Sequence, residues 1–386
     1  MAVIDSQSYA PLLRLKQGEY TALPALASDV ATHLLPHFVL PPPTERDPEL
    51  ARLLTPSELI HEHAKRLGRH WPLRPCLLDP RFLYRKLEAN KATEWLPSLF
   101  SAAIRANAKP TLVSDLSTIE GPALEGIQRV IKDALQGMAL RVTADEVEQD
   151  GFAKRVQSAL LKVGIKPTDC VLVLDFGSPD FSQADVVAEI IVDKFQRVME
   201  IGLWGQVIWQ ATSYPETNPA SRGEVVELPR KEWLSWQLAC NLDNEVRKHL
   251  MFGDFAADSA KFSFKSVRVV PIPHLRYSTV DKWIVARGPS GATRADALQT
   301  VAAGIIRSGH FAGPAFSVGD RFISEAAAGD DGPGTPMIWR RVNTIHHLTR
   351  VTDDVGTMRG YQIRERTYSP RAEQASFKFR TSDSER

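Results

Sequence analysis

Short apolar runs alternate with segments of helical periodicity along most of the chain. The runs are Pro11–Leu15 (PLLRL), Leu34–Leu40 (LLPHFVL), Arg74–Asp79 (RPCLLD), Pro110–Leu116 (PTLVSDL), Met138–Val142, Cys170–Gly177 (CVLVLDFG), Gly205–Ser213 (GQVIWQATS) and Met251–Phe255 (MFGDF). The clearest is the sixth, where Val171 to Leu174 run without alternation into Asp175. A continuous apolar run of this kind suits a strand buried on both faces, as in a parallel sheet. Gly177 and Pro179 then break the chain before the next helix. Between the runs, residues of one face recur at steps of three and four, all apolar but His63: Leu59, His63 and Leu67; Leu124, Ile127, Ile131 and Leu135; Phe152, Val156, Leu160 and Val163; Val187, Ile191, Phe195 and Val198. That spacing predicts amphipathic helices, with a further one over 91–106 and a long one over 229–250.

Eight runs separated by helices predict a TIM-type (β/α)8 barrel, with an open sheet of alternating units as the rival. Two closures are open. Either Phe252–Phe255 is the eighth strand and a β-hairpin over 264–287 is inserted before the last helix, 291–308, or Trp283–Arg287 closes the ring. The barrel domain is therefore placed at 9–310, hairpin included. Residues 311–358 leave the rhythm: a turn-rich GDDGPGTP at 329–336 precedes an apolar Trp339–Val351, read as a cap on the barrel. Residues 359–386 are polar and charged, and are read as a disordered tail.

Composition changes little. Of 386 residues, 47 are basic and 46 acidic, for a net charge of +1, so no global field draws in a membrane surface or a long stretch of nucleic acid. The three cysteines, Cys76, Cys170 and Cys240, are far apart and lie in apolar segments, which reads as buried thiols of a reduced, cytoplasmic protein. No leader-like segment and no apolar run of membrane-spanning length is seen.

An ordered set of short motifs adds to this. PLLRLKQGEY at 11–20, DFG at 175–177, ATSYP at 211–215, RKEW at 230–233, FGDF at 252–255, LRYS at 275–278, WIVARG at 283–288 and IHHLTRV at 345–351 together resemble the phage T4-type beta protein family. The resemblance spans most of residues 9–351. It implies a phage-related setting, often near mobile or antiviral defence genes, and carries no settled activity and no catalytic residue to transfer.

Candidate chemistry comes from where the runs end. In a barrel the strand C-termini and the loops after them form one rim, where sites sit. Lys16 and Glu19 follow the first run, Asp79 and Arg81 close the third, Asp115 the fourth, Arg141 lies in the fifth, Asp175 ends the sixth, Ser213 the seventh, and Asp254 lies in the eighth. A carboxylate at the end of a buried run must be paired, solvated or bound to a cation. Asp175, Asp254 and Glu19 are accordingly the catalytic candidates, for acid–base work or as oxygen ligands of Mg²⁺, between which the residues do not choose. Lys16, Asp79, Asp115, Arg141, Ser213, Arg276, Tyr277, Arg287 and His346 are the substrate-binding candidates. The turn Arg287–Gly291 before the last helix is a candidate anion cradle with Arg276 beside it, although no P-loop is present. His346 and His347, read as strand neighbours, are expected to face opposite sides, one of them the rim. The expected function is binding of, and hydrolysis of, a phosphorylated small molecule or nucleotide. The alternative is a non-catalytic sensor or adaptor for a phage component, a nucleic-acid end or a protein partner.

Overall fold

The computed structural model describes residues 8–44, 52–134, 137–262, 271–330, 332 and 334–363. Its strands, in chain order, are β1 (Tyr9–Arg14), β2 (His37–Val39), β3 (Pro75–Asp79), β4 (Lys109–Asp115), β5 (Met138–Thr143), β6 (Cys170–Gly177), β7 (Gln206–Ala211), β8 (Val225–Pro229), β9 (Leu250–Asp254), β10 (His274–Ser278) and β11 (Lys282–Arg287). β1 to β7 and β9 close into a parallel barrel with helices outside, and β8, β10 and β11 form a separate antiparallel sheet in the order β10-β11-β8. The expected TIM-type barrel is therefore present. Its closing strand is β9, which pairs with β7 through Trp209↔Phe252 and with β1 through Pro11↔Asp254.

The barrel is filled in layers by strand alternation. Ala10, Leu35, Leu77, Val113, Ala139, Val173, Ile208 and Met251 form one apolar cluster inside the ring. Their strand neighbours Leu34, Phe38, Leu78, Leu112, Leu140, Leu172, Leu174, Val207 and Phe252 point outward into the main core beneath the helices. Side chains two residues apart share a face. The next inward layer toward the C-terminal mouth is thus Arg14 (two beyond Leu12), His37, Asp79, Asp115, Arg141, Asp175 and Gln210. A floor of apolar side chains carries a layer of mostly charged ones.

Several expectations change in detail. The helix expected over 229–250 breaks at Asp243 into Lys231–Leu242 and Asn244–His249, because the Asp243 carboxylate caps the second piece through the Glu245 N–H. The inserted hairpin gains a third strand, β8, whose alternating V-V-E-L-P pattern follows an irregular loop. Its first part, 263–270, and the tail from 364 onward lie outside the described residues. The three-stranded sheet has two faces. Leu275, Tyr277, Ile284 and Ala286 pack on Leu298, Val301 and Ile305 of the helix Arg294–Arg307. Trp283 and Val285 pack on Tyr214, Ala220 and Ala257, which belong to the loops after β7 and β9. The sheet is a roof over one side of the barrel mouth.

The segment read as a cap holds two helices, Val318–Ala328 and Pro336–Arg359. The second places Ile345, Leu348, Val351 and Val355 in the same core as the barrel helices. His346 and His347 are on this helix and not on a strand, so the expected opposition of their side chains does not arise; both are buried. Among the described residues, no helix is long and apolar enough to cross a membrane.

Candidate functional site

The mouth of the barrel holds a network of alternating charge. Asp79 accepts from Arg81 Nε at 2.7 Å and from the Arg81 backbone N–H at 2.8 Å, with His37 Nε2 at 3.3 Å. Arg141, from β5, donates to Asp115 at 2.7 Å and to Asp175 at 3.5 Å, and Arg81 Nη1 lies 3.9 Å from Asp175. Burial opposes ionisation of Asp79, but Arg81 and His37 outweigh it and hold the carboxyl well below the usual range. Asp115 is also lowered, burial being outweighed by its hydrogen bonds to Thr118 and by Arg141. His37, whose basicity burial lowers, bridges to Gln210 Oε1 at 3.2 Å. Asp175 follows Val173 into the ring by strand phase, and a register shift follows it between Asp175 and Gly177. Gly177 takes a φ of +60°, which glycine adopts without a Cβ clash, and its N–H returns to Asp175 Oδ1 at 3.1 Å. Asp79, Asp115, Arg141 and Asp175 are therefore brought together.

A second charged cluster adjoins the first. Asp258, in the loop after β9, takes Arg340 at 2.6 Å, Arg276 at 2.7 Å and Arg14 at 3.0 Å. Burial would raise its pKa; Arg276, Arg14 and Arg340 together drive it far down. Glu19 accepts from the Arg14 N–H at 2.6 Å and from Arg340 at 2.9 Å. The Phe262 ring links the two clusters, with the Arg14 guanidinium 5.1 Å and the Arg81 guanidinium 5.5 Å from its centroid. Beside Asp258 opens a cleft of about 100 Å³, lined by Phe255, His274, Arg276, Trp339, Arg340 and Asn343 among others. His274 is lowered to about 4, by burial first and then by Arg276. Its Nδ1 lies 3.2 Å from the Ile272 carbonyl.

Other sequence candidates lie apart. Lys16 lines a different groove with Tyr20, Pro41 and Arg66; burial and then Arg340 lower its pKa. Asp254 does not face Asp175 or Glu19. Strand phase turns it outward with Phe252, where it binds Tyr9 Oη at 2.6 Å, the Ala256 N–H at 2.8 Å and His347 Nε2 at 2.8 Å. His347 Nδ1 in turn meets Ser278 Oγ at 3.0 Å. Ser278, His347 and Asp254 thus have the connectivity of a hydrolytic triad, but all three are buried, at 0%, 0% and 1% exposure, so the serine meets no substrate. Tyr277 and His346 also leave the rim. Tyr277, next to the mouth-facing Arg276, points to the opposite face of the sheet, bonds Asp320 at 2.8 Å and stacks on His346 at 3.7 Å. His346 is held by Asp320 and by the Ser278 carbonyl at 2.7 Å. Ser213 hydrogen-bonds buried Glu232. Arg287 donates to the Ala220 carbonyl at 3.1 Å, and the helix after its turn is capped by Thr293. Among the described residues, no group of three or more His, Cys, Asp or Glu is arranged to hold a metal ion.

Sequence reasoning passed over Arg14, His37 and Gln210, which strand phase alone points into the ring. It also passed over Asp258, Arg340 and Asn343, for which no local pattern exists.

Among curated proteins, none matches the chain by sequence. Similar solved structures include active domain 2 of a chitinase from Pyrococcus furiosus, as catalytic-site mutants, at 8% identity, covering 67% of this chain and 88% of that one with a TM-score of 0.39. The catalytic domain of the hyperthermophilic chitinase from the same organism covers the same shares at 8% identity and a TM-score of 0.37. Neither likeness bears on the chemistry of this mouth. The family comparison matches nearly the whole of the described chain, from the first barrel strand to the helix that carries His346 and His347: over residues 9–353 it is the profile of the beta protein, and the chain belongs to that family.

Proposed function

We propose that the protein binds a phosphorylated or nucleotide-like small molecule at the C-terminal mouth of its barrel and hydrolyses it, with Asp175 as the reacting carboxylate. The observation that supports this is the unequal commitment of the three mouth carboxylates. Asp79 and Asp115 have guanidinium contacts of 2.5 and 2.7 Å, whereas the nearest to Asp175 is 3.5 Å. Asp175 is therefore the acid with the weakest protein partner, and the one a ligand proton, a water or a cation reaches at least loss. Packing does not call for such a layer, since apolar residues would fill it without desolvating charge. Arg81 and Arg141 then stabilise negative charge on the ligand, as preorganised donors do in a site largely shielded from water.

The test is Asp175→Asn against a panel of nucleotides and sugar phosphates. The expected result is a folded protein with turnover reduced at least about a hundredfold, the range for loss of a general acid or base. Unchanged turnover in the folded variant overturns the catalytic reading. A second reading is a sensor or adaptor without turnover for a phage component, a nucleic-acid end or a protein partner. Its support is that each of the five carboxylates in the two clusters already lies within 4.0 Å of a guanidinium, an arrangement suited to recognition. It predicts saturable ligand binding and no product. The phage-related or antiviral setting accompanies either reading through the family.

A further inference from the structure

The cleft beside Asp258 has a one-sided supply of hydrogen-bonding groups. Its carboxylates are engaged: Asp258 by three guanidiniums, Glu19 by Arg340 and by the Arg14 backbone. Its donors are not. Among the described residues, the side-chain hydrogen bonds of Arg276 and Arg340 all run through Nη1. Arg276 Nε is buried with no partner among the described residues. Asn343, 6% exposed, uses Oδ1 to accept the Arg276 backbone N–H at 3.1 Å, and none of the hydrogen bonds among the described residues uses its Nδ2. Among the described residues, the guanidiniums of Arg14, Arg276 and Arg340 stand against the two carboxylates of Asp258 and Glu19. One group in the cleft lining registers the surplus: His274 is lowered by burial first and then by Arg276.

From this we infer that the cleft is a seat for a terminal phosphate group, with Arg276, Arg340 and Asn343 as its binding residues. The inference rests on the proposed function and assigns its phosphoryl group to a place beside the Asp175 centre. The donors come from two elements, β10 and the helix Pro336–Arg359, and Arg276 and Arg340 reach different oxygens of Asp258, a spread that suits a tetrahedral oxyanion with three free oxygens better than a planar carboxylate with two. A monoester phosphate carries nearly two negative charges at neutral pH, more than a diester, and answers the surplus more fully. The size fixes what enters. About 100 Å³ is well under the roughly 300 Å³ at which pockets begin to enclose whole small ligands, so the phosphate is seated and the rest of the molecule stays outside.

The experiment is calorimetric titration of the full chain with inorganic phosphate, acetate and dimethyl phosphate, repeated on Asn343→Asp. That variant keeps the Oδ1 acceptor for Arg276 and replaces the free donor with a negative oxygen. Phosphate is expected to bind at least about tenfold tighter than acetate or dimethyl phosphate, and Asn343→Asp to weaken it about tenfold or more at an unchanged melting temperature. Should Asn343→Asp not fold, Arg340→Lys replaces it, since lysine keeps the charge toward Glu19 and Asp258 but loses the outer N–H groups; the same loss is expected. Equal affinity for acetate, or phosphate affinity untouched in the folded variant, overturns the assignment. The two proposals fail separately. Turnover that depends on Asp175 but not on Asn343 removes the phosphate seat alone. Phosphate binding that depends on Asn343, with no turnover of any panel member, removes the hydrolase alone.

Discussion

Asp254 shows how one buried carboxylate organises its neighbours. It takes hydrogen bonds from Tyr9 Oη and the Ala256 N–H and meets His347 Nε2, so it joins the first strand, the loop after β9 and the last helix. Tyr9, in that setting, has its pKa raised well above the ordinary value, by burial first and then by the Asp254 charge. Asp254→Ala removes the acceptor and leaves buried donors with no water to replace it. Each such donor costs about 1–3 kcal/mol, so the expected loss is about 2–5 kcal/mol, read as a fall in the urea midpoint. A change below about 0.5 kcal/mol means the relay does not hold the helix to the barrel. Asp254 ends an apolar run just as Asp175 does, and the sequence offers the same argument for both. Only strand phase separates them: Met251 is inside the ring, so Asp254 is outside, whereas Val173 and Asp175 are both inside.

At the level of elements, close helix packing depends on a few glycines. Gly68 lies in the helix Pro56–His70, which starts with Pro56 at its first position and a Thr55–Glu58 capping box. A Cβ on Gly68 would stand 1.8 Å from the Ala106 carbonyl oxygen, a backbone atom just after the helix Ala92–Arg105. The two elements must separate to admit a methyl group, against the gain in helix propensity that alanine brings. Gly68→Ala is expected to destabilise by about 1–3 kcal/mol, the usual range for overpacking, and a thermal melt at or above the wild-type temperature contradicts it. The same scale corrects the reading of His346 and His347 as strand neighbours. Thr335 caps a helix there, and the stripe Ile345, Leu348, Val351 and Val355 finds the barrel core at steps of three and four.

Across the whole molecule, two half-buried histidines and the paired carboxylates set the response to acid. His70 and His274 are both lowered to about 4, by burial first and then by Arg69 and Arg276 respectively. Their folded pKa lies below the unfolded value of about 6.5, so the stability they contribute is complete above that pH and is lost as pH falls toward 4. Asp79 and Asp258 are depressed below the unfolded carboxylate value of about 3.9, so their contribution holds above that pH and drains only below it. Urea midpoints measured from pH 7 to pH 3 are expected to fall in two stages. The double variant His70→Gln with His274→Gln flattens the first and leaves the second. A midpoint constant from pH 7 to pH 4 contradicts the assignment.

The sequence by itself determined the alternation of buried strands and covering helices, because eight apolar runs and the helical stripes between them bury the same faces wherever neighbouring units are placed; closure into a barrel through β9 was decided by the tertiary structure. It also placed Asp79, Asp115, Arg141 and Asp175 at or near strand ends, whereas strand phase in the closed ring decided that these and not Asp254 face the mouth. Tertiary structure decided the rest. Arg14, Asp258, Arg276 and Arg340 meet although up to 326 positions separate them in the chain, and each is an ordinary charged residue in its own stretch. Local pattern records which face a residue is on. It does not record which distant loop or helix is folded over that face, because that follows from how the roof sheet and the last helix pack against the finished ring.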